Sequence, residues 1–497
     1  MGYNSVLMPD DRTLLLLRFA GEMATKSARV RTRFQQRLLR NVKDALAHEG
    51  IEHAARPAWT RLFVEAADPR APEVLARVFG VRSLSPIDAR LPADLDAIVQ
   101  AGTSLFAERV RGRRFAVRAR RAGAHPFRSH DVEVRLGAAL LPHAAGVDLT
   151  HPEVTVFVEV RDDEAYLFHE QVPGAGGLPL GSQHGALALL SGGFDSAVAA
   201  WYVLKRGVPL DYLFCNVAGA AYERAVVQVA KSVADRWSYG DRPALHILDF
   251  GPLVDALRER VRPNYVQVVL KRCMYRAASR LAAELGRKAI VTGESIGQVS
   301  SQTLANLRAI DDAADLPVLR PVAGLDKEEI IEGSRRIGTY ALSSKVQEYC
   351  ALVPDRPVTA ARPEAARDEE GKLPSDWLET ALRGRRTLDL VALEPSDLVL
   401  PYVYARDVPD GAVVLDGRPL AEFEAWHYPG ARRIDLDDLL GHYARLDKDP
   451  VYLLVCPLGL QSGVVAERMQ RAGYRAYSFQ GGARRLRALT AETASHT

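Results

Sequence analysis

The feature that most constrains this chain is a regular alternation, in its second half, of short apolar runs with longer stretches of helical periodicity. Such alternation is typical of a parallel β-sheet whose neighbouring strands are joined by crossover helices. The predicted strands are Ala186–Leu190, Leu210–Phe214, Ala244–Asp249, Ala289–Thr292 and Val318–Leu319. We therefore expect a central α/β domain, and the strand-like runs Val413–Asp416 and Val451–Cys456 predict a second, smaller one.

The first 170 residues read instead as small α+β units. Leu14–Ala20 has the pattern of a strand, and Ala28–Ala47 that of a helix with an apolar residue at every fourth position. The remaining predicted elements are strands at Arg61–Ala66 and Arg114–Arg120 and a helix between Ala93 and Arg111. A run rich in Gly and Pro, from Val172 to Gly185, predicts the boundary between the two kinds of structure.

Size and composition narrow the classes of function. A chain of 497 residues predicts three or four domains, and its formal net charge of +3 gives no overall signal for nucleic acid. The four cysteines are widely spaced without a CxxC pair, which argues against a zinc site and a disulfide scaffold, so no metal-ligating residues are predicted. No apolar stretch has the length of a membrane helix or a signal peptide, so we expect a cytoplasmic protein without membrane contact.

One loop carries the clearest chemical signal. The first strand of the central domain runs through Leu189 and Leu190 into a turn and then a helix. The turn and helix start are Ser191, Gly192, Gly193, Phe194, Asp195 and Ser196. Glycines let the backbone approach an anion, and a helix N-terminus offers free N–H groups, so a phosphate is expected here. The Walker A Lys is absent, which excludes an ordinary kinase or GTPase loop, while a glycine turn without chemical meaning stays possible.

A second glycine cluster, Gly174 to Gly181, superficially suggests a dinucleotide-binding fingerprint. It precedes a predicted strand, whereas that fingerprint follows one, so the cluster predicts no cofactor site.

The loop at 191–196 resembles the SGGxDS pyrophosphate loop (PP-loop) of the adenylating ATP pyrophosphatases. Further motifs of the chain resemble the bacterial tRNA 4-thiouridine synthetases in content and spacing. In the second half of the chain they are Leu270-Lys271-Arg272, Val291-Thr292-Gly293-Glu294, Gly297 to Leu304 and Glu348-Tyr349-Cys350. Nearer the N-terminus they are Lys26-Ser27, Arg33-Phe34 and the stretch Val117 to Asp131, which resembles part of a THUMP domain. The resemblance spans nearly the whole chain and implies that it is a tRNA sulfurtransferase.

The resemblance also implies which residues bind ATP. Besides Ser191, Gly192, Gly193 and Ser196 of the loop, it assigns ATP contacts to Leu189, Leu190, Leu213, Phe214, Lys271, Gly293 and Gln302. Lys271 would supply positive charge for phosphate chemistry, and Asp195 would organise Mg²⁺ or the loop itself. A solvated lysine is the commoner fate of any single Lys, so the role of Lys271 depends on its motif.

Local clusters of positive charge predict an RNA-binding surface. One set lies on the early helix and the other around the strand at 114–120, where Glu108 is the only nearby acid. The members are Lys26, Arg29, Arg31, Arg33, Arg37, Arg40, Lys43, Arg109, Arg111, Arg113, Arg114, Arg118, Arg120, Arg121 and Arg128. Aromatic residues are sparse among them, which favours recognition of a folded RNA by its shape over stacking on single strands. Ordinary solvated helix and strand faces remain the alternative interpretation.

The C-terminal domain resembles a rhodanese domain in three successive motifs. These are Leu415-Asp416-Gly417-Arg418, the segment His427 to Ile434, and the loop Val455 to Gly463 around Cys456. A Cys between a strand and a helix gains backbone N–H groups and the helix dipole, which stabilise a thiolate or persulfide. Pro457 and Leu458 occupy positions where the family often has charged residues, so the loop lacks cationic help. Ser462 stands where a rhodanese-like phosphatase would need Arg, which argues against that activity.

The resemblance implies a reaction that uses two cysteines. Cys456 would take a persulfide from a cysteine desulfurase, the enzyme would adenylate uridine 8 of tRNA, and sulfur attack would give 4-thiouridine and a Cys350–Cys456 disulfide. It further implies sulfur transfer to the sulfur carrier protein of thiamine thiazole synthesis. Cys215 and Cys273 lie in apolar runs and are predicted to be packing residues.

The predicted architecture has five parts. They are a ferredoxin-like domain at 1–62, a THUMP RNA-binding domain at 63–170, a parallel-sheet PP-loop ATP pyrophosphatase domain at 175–354, a linker at 355–402 and a rhodanese-like domain at 403–490. The linker is predicted because the stretch from Asp355 to Pro374 is polar and Pro-rich. Two alternative functions remain: another RNA-modifying PP-loop enzyme, which would leave the rhodanese domain without a purpose, and an RNA-binding protein with inactive catalytic domains. The intact loop residues and both cysteines argue against the second alternative.

Overall fold

The structure is a computed structural model, and it describes residues 12–58, 61–217, 220–344, 356–394, 403–457 and 459–494. The chain divides into two compact units, Met1–Leu178 and Pro179–Thr497. Among the described residues, no helix combines the length and the apolar character that crossing a membrane requires.

The described residues of the first unit form ten strands and five α-helices. The strands are β1 (Thr13–Phe19), β2 (His53–Ala58), β3 (Arg61–Ala66), β4 (Val81–Pro86), β5 (Ala89–Pro92), β6 (Arg114–Ala122), β7 (Gly146–Val147), β8 (Val154–Arg161), β9 (Glu164–Phe168) and β10 (Val172–Pro173). The helices are α1 (Gly21–Ala24), α2 (Ala28–His48), α3 (Ala71–Ala76), α4 (Leu95–Val110) and α5 (Ser129–Leu140). The predicted strands and helices of this part are confirmed, with ends that differ by at most two residues.

These strands form two five-stranded sheets. The first has the order β10-β4-β1-β3-β2 and is antiparallel, and the second has the order β5-β9-β8-β6-β7 with a parallel β6–β8 pair. The first sheet therefore includes β4 and β10, which lie past residue 62, and the predicted boundary at 62 falls inside β3. The sequence showed β3 only as an isolated strand signal, because its pairing with β1 and β2 is a long-range contact.

A buried ionic cluster joins the two sheets of the first unit. Glu159 on β8 is 2% exposed, and its carboxylate contacts Arg18 of β1 at 3.3 Å, Arg61 of β3 at 2.7 Å and Arg161 at 2.8 Å. Burial alone would raise the pKa of Glu159, but the three guanidinium groups lower it below its usual value. This carboxylate is thus held ionised between the sheets.

The second unit begins with a six-stranded sheet. Its strands are β11 (Ala186–Leu189), β12 (Leu210–Asn216), β13 (Ala244–Asp249), β14 (Ile290–Val291), β15 (Val318–Leu319) and β16 (Arg386–Asp389). The helices of this part are α6 (Phe194–Leu204), α7 (Ala220–Trp237), α8 (Gly251–Arg260), α9 (Val266–Glu284), α10 (Leu304–Asp311), α11 (Lys327–Ile337), α12 (Tyr340–Ser343), α13 (Pro363–Glu370) and α14 (Trp377–Arg383). The order is β15-β14-β11-β12-β13-β16, and every pair is parallel except the last, which confirms the predicted parallel sheet.

The predicted linker at 355–402 is largely folded where it is described. α13 packs on α9, and its Glu369 and Glu370 are 3% and 9% exposed. Glu369 pairs with Arg262 at 2.6 Å, and Glu370 pairs with the fully buried Arg272 at 2.8 Å. β16 then joins the edge of the central sheet. The stretch looked like a linker because its charged residues find their partners about a hundred positions away in the sequence.

The remaining part of the second unit is a five-stranded parallel sheet with four helices. The elements are β17 (Tyr404–Ala405), β18 (Val413–Asp416), α15 (Leu420–Ala425), β19 (Arg432–Arg433), α16 (Leu436–His442), β20 (Val451–Val455), α17 (Leu460–Arg471), β21 (Arg475–Phe479) and α18 (Gly482–Ala494). The strand order is β17-β21-β20-β18-β19. The two predicted strands, now β18 and β20, lie side by side at its centre.

Candidate functional site

The loop between β11 and α6 has the geometry of an anion site. Gly193 precedes the helix in extended conformation, and in the described structure no side chain caps the helix N-terminus, so its first N–H groups face outward. Ser196 shapes the turn from inside, because its Oγ donates to the Gly193 carbonyl at 3.2 Å and accepts from the Ser191 N–H at 3.3 Å. An anion placed here would meet free N–H donors at the positive end of the helix dipole.

Gly293 fixes a second segment against this loop. A Cβ atom at this position would lie 2.5 Å from the backbone carbonyl carbon of Asp195 and from the backbone nitrogen of Ser196. Only glycine allows the chain after β14 to pass so close to the start of α6. The predicted site residues Gly293, Asp195 and Ser196 are therefore brought into contact.

The carboxylate of Asp195 lies in a charged cluster beside the loop. Lys327 Nζ is 3.0 Å from its Oδ2, and Gln298 Nε2 donates to its Oδ1 at 3.4 Å. Lys327 is the first residue of α11 and lies between Asp326 and Glu329, which form a capping box at the start of this helix. Lys327 was not predicted from the sequence, because its contact with Asp195 spans 132 positions and exists only in the folded chain.

A cavity of about 350 Å³ adjoins this cluster. Gln298 and Lys327 both line it, so it opens next to the Asp195 carboxylate. Two short segments form its walls, residues 295–298 and 323–327. Its volume falls within the range typical of small-ligand sites.

Lys271 reaches a buried carboxylate instead of standing alone in solvent. Its Nζ is 2.8 Å from Oε1 of Glu294, whose Oε2 accepts from Tyr275 at 2.5 Å and from Arg320 at 2.9 Å. Burial alone would raise the pKa of Glu294, but the charge and hydrogen bond of Lys271, aided by Tyr275 and Arg320, lower it to about 2. Glu294 follows Gly293 directly, so this network is anchored beside the nucleotide loop.

The other predicted ATP-binding residues occupy different depths. Leu190 donates its N–H to the Leu213 carbonyl at 2.9 Å, so the residue directly after β11 contacts the middle of β12. Leu213 and Phe214 are buried, and Leu189 is half-buried. Gln302 lies in a 3-10 turn before α10, and its Oε1 is buried without a hydrogen-bond partner among the residues described.

The thiol of Cys456 sits in a cradle of hydrogen-bond donors. Its Sγ accepts from the Gly459 N–H at 3.1 Å, from the Ser462 N–H at 3.4 Å and from the Ser462 hydroxyl at 3.1 Å. Gly459 has a φ of +83°, and a Cβ there would lie 3.0 Å from the Phe479 carbonyl, so the turn requires glycine. The sulfur is thus held at the N-terminus of α17, where negative charge is stabilised.

A second layer of hydroxyl groups supports this cradle. Ser478 Oγ lies 2.8 Å from Ser462 Oγ and donates to the Gly459 carbonyl at 3.1 Å, which also accepts from Tyr404 at 3.1 Å. Burial and the neighbouring Cys456 sulfur raise the pKa of Tyr404, which keeps it protonated. In the described part of the loop, the hydrogen-bond donors to the sulfur are neutral. Sequence reasoning noted Ser462 only as the absence of Arg and missed Ser478 and Tyr404.

The remaining cysteines behave differently. Cys215 and Cys273 are buried, and burial raises the pKa of both thiols, which confirms that they are packing residues. Cys350 lies outside the described residues, so its predicted role remains a prediction.

The predicted RNA-binding arginines lie on two elements of the first unit. α2 buries one apolar face through Phe34, Leu38 and Val42. β6 buries Phe115 to Val117 and exposes Arg114, Arg118 and Arg120. Exposed basic residues on α2 are Lys26 just before it, Arg29, Arg33, Arg40 and Lys43. Both elements therefore present cationic faces next to an apolar core, as a phosphate-binding surface requires.

Comparison with known proteins follows the same division of the chain. Family models match residues 14–85 ("ThiI ferredoxin-like domain"), 92–170 ("THUMP domain"), 181–374 ("Thiamine biosynthesis protein (ThiI)") and 402–488 ("Rhodanese-like domain"). These matches confirm the predicted kinds of domain and their order, from a ferredoxin-like start to a rhodanese-like end.

Curated relatives match this chain over nearly their whole length. A tRNA sulfurtransferase of Desulfurococcus amylolyticus is 39% identical over 95% of this chain and 98% of its own, and one of Sodalis glossinidius is 35% identical over 93% and 98%. A crystal structure of a 4-thiouridine synthetase–RNA complex with bound ATP is similar to this chain, with 29% identity and a TM-score of 0.66 over 76% of this chain and 99% of its own. At this identity and coverage, the chain belongs to the tRNA sulfurtransferase family.

Proposed function

We propose that this protein uses ATP to adenylate uridine 8 of tRNA and then replaces the C4 oxygen with sulfur carried by Cys456, giving 4-thiouridine. The observation that carries the proposal is the presence, in one unit, of two loops built for different anions: the loop at 191–196 for a phosphate and the Cys456 cradle for a sulfur anion. An adenylating enzyme without sulfur chemistry would have no use for the second loop.

ATP is the substrate of the first step. The N–H groups at the start of α6 would hold its pyrophosphate portion, and Lys327 and Lys271 would face its negative charge. Uridine O4 would attack the α-phosphate, with pyrophosphate leaving. Leu189, Leu190, Leu213, Phe214, Gly293 and Gln302 complete the proposed ATP site.

Asp195 is the acidic side chain that the loop offers to Mg²⁺. Its carboxylate fits such an ion because it is 16% exposed at the edge of the loop, and Mg²⁺ commonly takes one carboxylate together with phosphate oxygens. Bound there, Mg²⁺ would neutralise charge on the leaving pyrophosphate. Lys327, which neutralises Asp195 in this structure, would then be released towards the phosphates.

Sulfur transfer completes the reaction. The terminal sulfur of the Cys456 persulfide would attack C4, and AMP would leave. The Cys350 thiolate would then attack Cys456 Sγ, which releases 4-thiouridine and leaves a Cys350–Cys456 disulfide for a dithiol reductant to reduce. We propose a cysteine desulfurase as the sulfur donor and, as a second acceptor, the sulfur carrier protein of thiazole synthesis, all in the cytoplasm.

The decisive experiment is incubation with unmodified tRNA, ATP and a persulfide donor, followed by nucleoside analysis. The proposal expects 4-thiouridine at position 8, formed only when all three components are present. A 2-thiouridine or an amidated base would instead support another PP-loop enzyme. Formation of no modified base, with tRNA still bound, would support the RNA-binding alternative.

The role of Cys350 has its own test. The Cys350→Ala protein should load sulfur on Cys456 yet fail to turn over repeatedly, and the wild-type enzyme after one turnover without reductant should yield a peptide joining Cys350 to Cys456. Full multiple turnover in the variant, or a bond from Cys456 to Cys215 or Cys273, would contradict the assignment.

A further inference from the structure

The corner between α11 and α12, residues 337–344, is a rigid part of the nucleotide-binding half of the second unit. α11 ends at Ile337, and Gly338 caps it in the left-handed conformation. Trp237 Nε1 donates to the Ile337 carbonyl at 2.9 Å, and the Thr339 N–H donates to the Ser334 carbonyl at 3.0 Å. α12 follows directly, with Ala341, Leu342 and Ser343 buried. This "α11–α12 corner" is therefore held in place by its own half of the unit.

One side of the corner contacts the nucleotide loop. The ring of Tyr340 stacks on Phe194, the first residue of α6, with centroids 5.6 Å apart and an interplanar angle of 26°. Arg335 covers Tyr340, with its guanidinium carbon 3.6 Å from the ring centroid. Because Phe194 lies between Gly193 and Asp195, Tyr340 touches the element that forms the proposed pyrophosphate site.

The other side of the corner contacts α17, the helix that follows the Cys456 loop. α12 packs against α17, and Gln461 Nε2 donates to the Gly338 carbonyl at 3.4 Å. Carbonyls at a helix C-terminus lack partners within the helix, so Gly338 can accept from outside. Gln461 lies immediately before Ser462, whose N–H and hydroxyl hold Cys456 Sγ. The same turn of α17 thus holds the sulfur and contacts the nucleotide-binding half.

The chain connection between the nucleotide-binding half and the rhodanese-like half of the second unit favours this contact. Residues 356–394 fold onto the nucleotide-binding half through α13, α14 and β16. Only the segment 395–402 then separates that half from the described start of the rhodanese-like domain. A short tether gives a high effective concentration of one surface for the other, so even modest contacts keep the two halves docked.

In the sequence, the segment that carries Cys350 follows directly after the corner. α12 ends at Ser343, and six residues from Ser344 reach Cys350, a contour length of at most about 20 Å. The two cysteines of the proposed reaction therefore connect to elements that touch each other, α12 and α17.

We propose that the α11–α12 corner is the docking surface that presents the Cys456 persulfide to the adenylating site, with Gln461 and Tyr340 as positioning residues. The inference rests on the proposed function. During docking, the Cys456 persulfide sulfur bonds to C4 as AMP leaves, and the Cys350 thiolate then bonds to Cys456 Sγ as the thiolated base leaves. The resulting disulfide is reduced by an external dithiol. Docking adds no chemical step, but it sets the distance between the Cys456 persulfide and C4 of the activated uridine.

Photo-crosslinking of the full-length protein tests the contact directly. Benzoylphenylalanine at position 461 should crosslink to residues 337–344, as identified by peptide mass spectrometry. The same probe at Arg468, exposed on α17 two turns or roughly 10 Å further along, should give at least tenfold less of that product. Equal crosslinking from both positions, or none from 461 to the corner, would overturn the proposal.

Activity measurements test its consequence. Gln461→Glu removes the donor with little change in shape, and Gln461→Arg separates the surfaces sterically. Both should leave sulfur loading of Cys456 and tRNA-dependent pyrophosphate release in the first turnover within about twofold of wild type. Disulfide formation between Cys350 and Cys456 should fall at least tenfold in Gln461→Arg and less in Gln461→Glu, while Arg468→Ala matches wild type.

The outcomes separate this inference from the proposed function. If wild type forms 4-thiouridine while Gln461→Arg retains the wild-type rate of disulfide formation, docking at the corner is wrong and the function stands. If wild type forms no 4-thiouridine, the proposed function fails, and crosslinking from position 461 still decides whether the two surfaces meet.

Discussion

Two loops of the second unit have the same construction: the nucleotide loop, residues 191–196, and the persulfide loop around Cys456, residues 455–463. They differ in where their charges lie. Each joins the end of a central parallel strand, β11 or β20, to the N-terminus of a helix, and each depends on a glycine at a close approach. The nucleotide loop leaves its helix N–H groups free and is flanked by the pairs Asp195–Lys327 and Lys271–Glu294. The persulfide loop uses its N–H groups on its own sulfur, backed by neutral hydroxyls.

This difference fits the anion that we propose for each loop. A triphosphate is large, highly charged and must arrive and leave, so mobile charged side chains at the loop edge suit it. A thiolate or persulfide carries one charge on a sulfur that is covalently bound to the protein, so a buried set of neutral donors can hold it without an ion pair. Pro457 and Leu458, which bring no charge, are compatible with that second solution.

The largest effect should come from Asp195→Ala. Removing the carboxylate leaves Lys327 without its partner and the loop without its acidic group, so tRNA thiolation should fall by about a thousandfold. Sulfur loading of Cys456, measured by mass spectrometry of the persulfide, should stay within twofold of wild type. Asp195→Asn serves as a matched control for folding. Equal loss of both activities would break the division of labour between the loops.

The next largest effect concerns the buried carboxylate beside the nucleotide loop. The pKa of Glu294 is about 2 in the folded protein against 4.5 for a free side chain, so its ionisation contributes stability that is present above pH 4.5 and lost as pH falls towards 2. Glu294→Gln should lower the free energy of unfolding by about 3 kcal/mol at pH 7, and the deficit should shrink below pH 4.5.

Urea unfolding at several pH values measures this deficit. Glu284→Gln is the control, because Glu284 pairs with Arg385 at a half-exposed position and should matter far less. A deficit that stays constant from pH 7 to pH 3 would show that Glu294 acts through packing and not through charge.

A smaller effect is expected from Ser462→Ala in the persulfide loop. The variant loses one of three donors to Cys456 Sγ, and a hydrogen bond to a charged group contributes about 1.5–3 kcal/mol. Sulfur loading should slow by about 10- to 100-fold, while ATP-dependent adenylation stays unchanged. Ser478→Ala should slow loading less, because Ser478 reaches the sulfur only through Ser462. The reverse ranking would contradict a direct role for the Ser462 hydroxyl.

The sequence predicted elements whose cause is local. The strands β11, β13 and β18 and the helix α2 all appear where the patterns placed them, because apolar periodicity acts within a few residues. The loop at 191–196 was equally visible, since a strand, glycines and a helix start are contiguous there.

The sequence did not predict features that depend on distant partners. Lys327 meets Asp195 across 132 positions, and Glu369 meets Arg262 across 107, so a fold is needed before either contact exists. The Ser462–Ser478 contact joins two elements, α17 and β21, whose adjacency only the sheet order reveals. Charged and hydroxyl side chains without a local partner therefore looked like surface residues in the sequence.

The smallest expected effect is the response of the two loops to the salt concentration. The side chains of Lys327 and Lys271 are 36% and 24% exposed, so dissolved ions can screen their attraction for phosphates. Raising salt from about 50 to 500 mM shortens the screening length from roughly 14 to 4 Å. The KM for ATP should therefore rise several-fold over this range.

The persulfide loop should respond much less to the same change. Cys456 is 2% exposed and its donors are buried and neutral, so ions in solution cannot screen them. Alkylation of Cys456 by neutral iodoacetamide, followed on its own peptide, should change by less than about twofold between the two salt concentrations. A reagent without charge is essential here, because it removes salt effects on the encounter itself. A several-fold salt dependence at Cys456 would mean that a charged side chain contributes to the cradle, and the contrast between the two loops would then fail.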